Sequence, residues 1–367
     1  MKVLILSCNT GEGHNSAAAA VAAQLESRGD SCVIKDALAY ISKRFSKFIC
    51  NWHTRIYRNV PVLFNIGYKL ADKSQNGKGG SVFGPILNTG AKGLAKEIQD
   101  GGYDWVICTH AFSAYMFTTT VKRYGVKAKS GFIATDYTCS PPVDKTLLDV
   151  YFVPHEQIKS DFIAKNIPAE KLVATGLPIR NEFYKRYTKS ATKRALGLPE
   201  NKANVLLMCG SMGCGPLKET ACRLAKIVPD NVFVTVICGN NRKLKAELKS
   251  MNFPKDSVRI VGYTKNIHHY MDSADLIISK AGGITCTEAM VKRLPMLLIN
   301  AVEGCEVYNR MFYISNGGAV ETDGPVADFA VKLINNPALL KRMSFSMESV
   351  YPGNAAENIC NYIHGQI

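Results

Sequence analysis

The chain has 367 residues, 47% hydrophobic and 20% charged, a length and composition that exclude a disordered or fibrous protein and imply two globular domains with sizeable cores. Its net charge of +15 points to an anionic partner: nucleic acid, an anionic membrane or a phosphorylated substrate.

The first apolar run, Val3 to Leu6, is followed at once by Asn9, Gly11, Glu12 and His14, so MKVLILSC reads as a first strand and not as a secretory signal. No later run approaches the ~18 apolar residues of a spanning helix, and the expected location is cytoplasmic. The turn NTGEGHNS leads into a helix from about Ser16 to Ser27 and places His14 at or just before its N-terminus. The positive end of a helix disfavours imidazolium, so this His should be mainly neutral at pH 7 and suited to general-base work; a helix cap or a loop contact is the alternative. A strand at Cys32 to Leu38 follows. From Lys43 to Lys78, basic residues including Lys43, Arg44, Lys47, Arg55 and Arg58 face the single acid Asp72, interleaved with aromatics such as Phe48 and Trp52. No nucleic-acid motif accompanies them, and the expectation is a membrane-binding patch, with a basic solvated face over a core helix as the competing reading. Strands are predicted at Trp105 to Cys108, Gly131 to Ala134 and Val150 to Val153.

The pattern restarts with strands at Val205 to Gly210, Val232 to Gly239, Val258 to Tyr263, Asp275 to Ser279 and Met296 to Ile299. Short apolar strands separated by helical segments imply an α/β protein of two doubly wound parallel sheets, with ligands at the carboxyl ends of the strands and in the cleft the two domains face. The boundaries are placed at 1–178 for the first domain, rejoined by a C-terminal helix over 347–367, and at 179–346 for the second. The 12 cysteines are scattered without a CxxC pair, which supports neither a disulfide framework nor a zinc site.

The stretch SKAGGITCTEAM, Ser279 to Met290, is a strand, a glycine turn and a helix start. Gly282 and Gly283 allow close backbone approach, Thr285 adds a hydroxyl, and Glu288 lies one turn on, an arrangement that suits a nucleoside diphosphate with the carboxylate on the ribose. An ordinary βα turn, with Thr285 and Glu288 as a capping box, competes with it. CGSMGCG, with Ser211 and Gly213, is either an anion-binding turn or a plain chain reversal, and it lacks the GK[ST] of a P-loop. Glu303, Glu306 and Asn309 follow the last strand, where they either grip sugar hydroxyls or form a solvated acidic loop.

In their order, GEGH, TDY (Thr135 to Tyr137), YFVPHE (Tyr151 to Glu156), GLPIR (Gly176 to Arg180), CGSMG, SKAGGITCTEA and EGCEVYN resemble the monogalactosyldiacylglycerol synthase and processive diacylglycerol β-glucosyltransferase family. These are relatives of the GlcNAc transferase of peptidoglycan lipid II. The resemblance implies a GT-B fold of two Rossmann-like domains and an inverting hexosyltransferase that uses UDP-glucose or UDP-galactose, diacylglycerol and an anionic membrane surface. It implies no cofactor and no bound metal, and a protein held peripherally on the inner face of the cell membrane. Carried onto this chain, it makes His14 the base with Asp136 a second carboxylate on the acceptor side. Gly210, Ser211, Thr285, the Gly282–Gly283 turn and Arg180 would hold the diphosphate, Glu288 the ribose, the backbone at Gly262 and Tyr263 the uracil, and Glu306 with Asn309 the sugar. Cys305 stands where relatives often have Gln, and TCSPPVDK follows TDY where they commonly show His and Trp, which leaves the donor sugar and the acceptor lipid open. Rival readings are a lipid II type GlcNAc transferase, a UDP-GlcNAc 2-epimerase, and a non-catalytic UDP-sugar sensor at the membrane.

Overall fold

The computed structural model describes residues 1–9, 11–50, 84–299 and 304–366. It divides into two compact units, Met1–Arg180 with Pro352–Ile367, and Asn181–Tyr351.

In the first unit, β1 (Lys2–Ser7), β2 (Ser31–Asp36), β3 (Trp105–Cys108), β4 (Lys129–Ile133), β5 (Val150–Val153) and β6 (Leu172–Ala174) form a sheet in the order β2-β1-β3-β4-β5-β6. Every pairing is parallel. A parallel sheet needs cover on both faces, and the strand residues divide accordingly. Leu4, Leu6, Val106 and Cys108 join one core cluster, while Val3, Ile5, Trp105 and Ile107 join another on the opposite face. The second cluster is closed by Ala18, Val21, Ala22 and Leu25 of the helix Glu12–Ser27 and by Ala356, Ile359, Cys360 and Ile363 of the helix Ala355–His364.

That last helix begins eight residues later than the expected 347. Residues up to Ser349 belong to a separate helix, Pro337–Ser349, and the chain is broken after it by Pro352 and by Gly353 at φ +90°. Asn354 then caps the new helix by accepting from the Glu357 N–H. Gly176, at φ +91°, lets the chain pass close beneath it: a Cβ there would lie 2.7 Å from Pro352 Cγ.

In the second unit, β7 (Ala203–Met208), β8 (Val232–Ile237), β9 (Val258–Val261), β10 (Leu276–Lys280), β11 (Met296–Ile299) and β12 (Ala319–Val320) form another parallel sheet, ordered β12-β11-β10-β7-β8-β9. Both sheets start in their interior and grow outward in both directions. The order therefore reverses between β1 and β3 and between β7 and β10, and the crevices at the carboxyl ends of those pairs are where an open α/β sheet takes ligands.

Candidate active site

At the first reversal the loop after β1 is latched to its surroundings. Ser7 Oγ donates to Asn15 Oδ1 at 2.7 Å, Asn15 Nδ2 to Asn9 Oδ1 at 3.0 Å, and Asn9 Nδ2 to Asp36 Oδ2 at 3.1 Å, at the end of β2. The helix Glu12–Ser27 follows, four residues earlier than expected, and carries His14 in its first turn. His14 Nδ1 lies 2.7 Å from the Thr109 carbonyl oxygen and 3.0 Å from Thr135 Oγ1. A carbonyl only accepts, so Nδ1 carries the hydrogen and the neutral ring keeps its lone pair on Nε2. Thr109 follows β3 and Thr135 follows β4; the ends of three strands thus fix one imidazole.

Burial pushes the His14 pKa below its ordinary value, against the opposing pull of the Asp136 carboxylate and the bond to Thr109. The ring is neutral at pH 7, as expected, but burial is the largest cause, where the sequence argument rested on the helix dipole. His110, which sequence reasoning passed over, stands with its ring centroid 4.4 Å from that of His14. Its Nδ1 accepts from the Phe112 N–H at 3.0 Å and caps the helix Ala111–Tyr124. A Thr-His pair directly after the strand WVIC was the available signal.

At the second reversal, the turn after β7 holds Gly210 at φ +65° and Gly213 at φ +57°. A Cβ on Gly213 would lie 2.1 Å from the Cys238 carbonyl oxygen, and one on Gly239 would lie 2.2 Å from that of Ser211. The Asn240 N–H donates to Ser211 O at 2.7 Å and Asn241 Nδ2 to Gly213 O at 3.0 Å. The turns after β7 and β8 are therefore pressed backbone to backbone, which requires Gly213 and Gly239 whatever the turn binds.

Across the reversal, the helix Gly283–Val291 starts from Gly282 with no side-chain cap. A capping box at Thr285 and Glu288 is thus excluded, because the helix begins three residues earlier than it would need; Thr285 is the third helical residue and Glu288 lies buried within the helix. Lys280, at the end of β10, was not singled out from the sequence. Its Nζ meets Glu306 Oε1 at 2.5 Å, and its Cε lies 3.4 Å from the Cβ position of Gly210 and 3.8 Å from that of Gly282. The lysine therefore crosses between the two glycine turns.

Glu306 stands in the first turn of the helix Cys305–Ser315. Asn309, expected at the sugar, is fully buried, and its Nδ2 donates to the Ala281 carbonyl at 3.0 Å, a bond that braces the SKAGG turn. Gly262 follows β9 beneath Lys245, whose Nζ would be 3.0 Å from a Cβ there, and Tyr263 beside it is exposed. Arg180 is the last residue of the first unit before Asn181. Glu303 lies outside the described residues.

Of the basic segment, residues 43–50 are helical. Phe45 and Ile49 pack on the first unit's core, and Ser46 Oγ donates to the Asp36 carboxylate that also receives Asn9. Lys43, Arg44 and Lys47 are exposed, together with Phe48 at 61%. Trp52, Arg55 and Arg58 lie outside the described residues. Among the described residues, no helix is long and apolar enough to cross a membrane.

Residues 14–179 match the family described as monogalactosyldiacylglycerol (MGDG) synthase, and residues 204–320 match the glycosyltransferase family 28 C-terminal domain. A processive diacylglycerol beta-glucosyltransferase of Bacillus cereus (strain G9842) is 29% identical over 99% of this chain and 93% of its own. The crystal structure of Acinetobacter baumannii MurG superposes with a TM-score of 0.67 at 15% identity, covering 99% of each chain. That of the UDP-GlcNAc 2-epimerase from Neisseria meningitidis bound to UDP-GlcNAc gives 0.64 at 15% identity over the whole of both chains. Likeness at that identity establishes the fold, GT-B with two Rossmann-like domains, and not the reaction. On its two family matches and its relatives over nearly full length, the chain is a GT-B glycosyltransferase similar to the monogalactosyldiacylglycerol synthases and processive diacylglycerol β-glucosyltransferases.

Proposed function

We propose that this protein is an inverting hexosyltransferase that moves glucose or galactose from a UDP-sugar to the free hydroxyl of diacylglycerol at an anionic membrane surface, from its cytoplasmic side. The observation that carries the reading is the imidazole of His14, anchored through Nδ1 to Thr109 and Thr135 with its lone pair on Nε2 and burial keeping it neutral. As the acceptor oxygen forms its bond to the anomeric carbon, the hydroxyl proton passes to Nε2 and the bond from that carbon to UDP breaks, leaving UDP as the anion. Attack opposite the leaving group inverts the anomeric centre. Asp136, whose charge acts on His14, favours the imidazolium that forms.

In the second unit, the turn N–H groups at Gly210 and Ser211, the uncapped start of the helix at Gly282, Gly283 and Thr285, and the dipole of that helix receive the diphosphate. Glu288 takes the ribose hydroxyls, the backbone at Gly262 and Tyr263 the uracil, and Glu306 the sugar. Asn309 acts through the Ala281 carbonyl as a positioning residue, and Arg180 adds a cation to the diphosphate. The exposed Lys43, Arg44, Lys47 and Phe48 meet the bilayer, on a helix tied through Ser46 and Asp36 to the loop that leads to His14.

The test is to incubate the purified protein with diacylglycerol vesicles and, separately, UDP-glucose, UDP-galactose and UDP-GlcNAc, and to analyse the lipids. A β-hexosyl diacylglycerol from one of the first two is the expected product. Formation of no glycolipid from any donor, or epimerisation of UDP-GlcNAc instead, would overturn the reading.

A further inference from the structure

We propose that Lys280 is a second cation that receives the donor's diphosphate and that it does so by leaving Glu306, so that binding of the phosphates and release of the sugar-binding carboxylate are a single exchange. The proposal rests on the UDP-sugar reading above. Three observations lead to it. Lys280 ends a strand whose other residues, Leu276 to Ser279, are buried and mostly apolar, and it places its ammonium where only 15% of its side chain is exposed. Its partner Glu306 is equally withdrawn at 12%. A withdrawn ion pair carries a desolvation cost that makes it a poor device for stability, whereas a pair that must open is a suitable switch.

The second observation is position. The lysine's Cε lies against both glycine turns, 3.4 Å from where Gly210 would carry a Cβ and 3.8 Å from where Gly282 would. The lack of side chains at 210 and 282 leaves the ammonium beside the turn at Gly210 and the uncapped first turn of the helix Gly283–Val291, whose N–H groups suit an anion, the Gly282 N–H itself being held by the Lys280 carbonyl at 2.9 Å. The third is the chemistry of the competitor: a diphosphate presents more charge and more acceptor oxygens than one carboxylate, so it can draw the ammonium away. The Glu306 carboxylate is then released beside an anion, where the hydroxyls of a bound hexose can donate to it; UDP alone, whose hydroxyls are those of the ribose at Glu288, offers none at that place. The exchange thus favours the intact donor over the spent nucleotide.

Titration of uridine, UDP and UDP-glucose into the unsubstituted protein and its variants tests this. Lys280→Met is expected to lose about 10-fold to 100-fold in UDP affinity with uridine affinity unchanged, and Lys280→Arg to retain UDP binding. Glu306→Gln is expected to bind UDP more tightly, by at least about threefold, because the competing carboxylate is gone, while its preference for UDP-glucose over UDP falls. In the double variant Lys280→Met/Glu306→Gln, the Gln substitution should bring no gain for UDP. A purely structural pair predicts that both single variants weaken UDP and that both melt earlier. Weaker UDP binding by Glu306→Gln, or UDP binding by Lys280→Met equal to the unsubstituted protein's, overturns the exchange while leaving the functional reading intact. Failure of the unsubstituted protein to bind UDP at all overturns both.

Discussion

Replacing His14 by Ala removes Nε2, the ring nitrogen that holds the lone pair proposed to meet the incoming hydroxyl. A positioned general base contributes ~100-fold to ~10,000-fold, about 2.7 to 5.4 kcal/mol of barrier, and the variant should lose that much in kcat/KM. UDP affinity should stay nearly unchanged, because His14 lies in the first unit and the donor residues named above, Arg180 apart, lie in the second. The pH profile gives a sharper check. Burial holds the His14 pKa below its ordinary 6.5, so Nε2 is deprotonated at neutral pH and kcat/KM should fall only on the acid side of 6.5. The Asp136 charge opposes that displacement, and removing it with Asp136→Asn should move the acid limb to still lower pH while the rate on the plateau drops. The assay is transfer to vesicle diacylglycerol at saturating UDP-sugar, with product lipid quantified from pH 5 to 8. Turnover at the unsubstituted rate in His14→Ala would remove His14 as the base. A larger loss in Asp136→Asn than in His14→Ala would assign the proton to Asp136 instead, and an acid limb displaced upward by Asp136→Asn would contradict the electrostatics.

Glu288→Ala should weaken UDP and UDP-sugar alike by about 1 to 3 kcal/mol, read by calorimetric titration; equal affinities in the two proteins would remove the ribose contact. Gly239→Ala puts a methyl carbon 2.2 Å from the Ser211 carbonyl oxygen at a φ of +55° and should cost roughly 2 to 4 kcal/mol in chemical denaturation, together with UDP affinity. A denaturation midpoint like that of the unsubstituted protein would mean that the turns after β7 and β8 are not in contact. The double change of Lys43 and Arg44 to Glu should release the protein from anionic vesicles, each cation being worth roughly 1 kcal/mol there, and spare UDP binding. Vesicle binding that persists in that variant and at high salt would contradict the electrostatic membrane contact.

Much of the fold was legible because its strands are nearly pure apolar runs. β3, β5 and β11 lie at the expected residues, while β6 and β12, of three and two residues, are too short to show a pattern. The helix at Glu12 was expected four residues late because GEGHNS is polar throughout, yet its glycine turn already marked His14. What holds His14 was not legible. Thr109 and Thr135 are 95 and 121 residues away in the chain, and only the order of the strands brings them together. Lys280 was overlooked for a related reason. It sits inside SKAGG, but its meaning depends on Gly210 across the strand-order reversal and on Glu306, 26 residues on.

The same topology bears on what distinguishes this chain from proteins that share its fold. The departure after TDY invites the view that acceptor choice is written in Cys139 to Lys145. Cys139 and Val143 are fully buried, and the Cys139 N–H and Thr138 Oγ1 both donate to Asp161 Oδ2, at 2.6 and 2.8 Å. Lys165 Nζ closes the turn on the Cys139 carbonyl at 2.6 Å. Cys139 and Val143, so enclosed, cannot read a lipid directly, while Ser140, Pro141, Asp144 and Lys145 are partly exposed; a substitution at Cys139 acts by moving Asp136, three residues before it and partly exposed. On the acceptor reading proposed above, a change confined to Cys139 therefore acts through the geometry of Asp136 and His14 and should alter turnover together with acceptor choice; altered choice at unchanged turnover would refute that route.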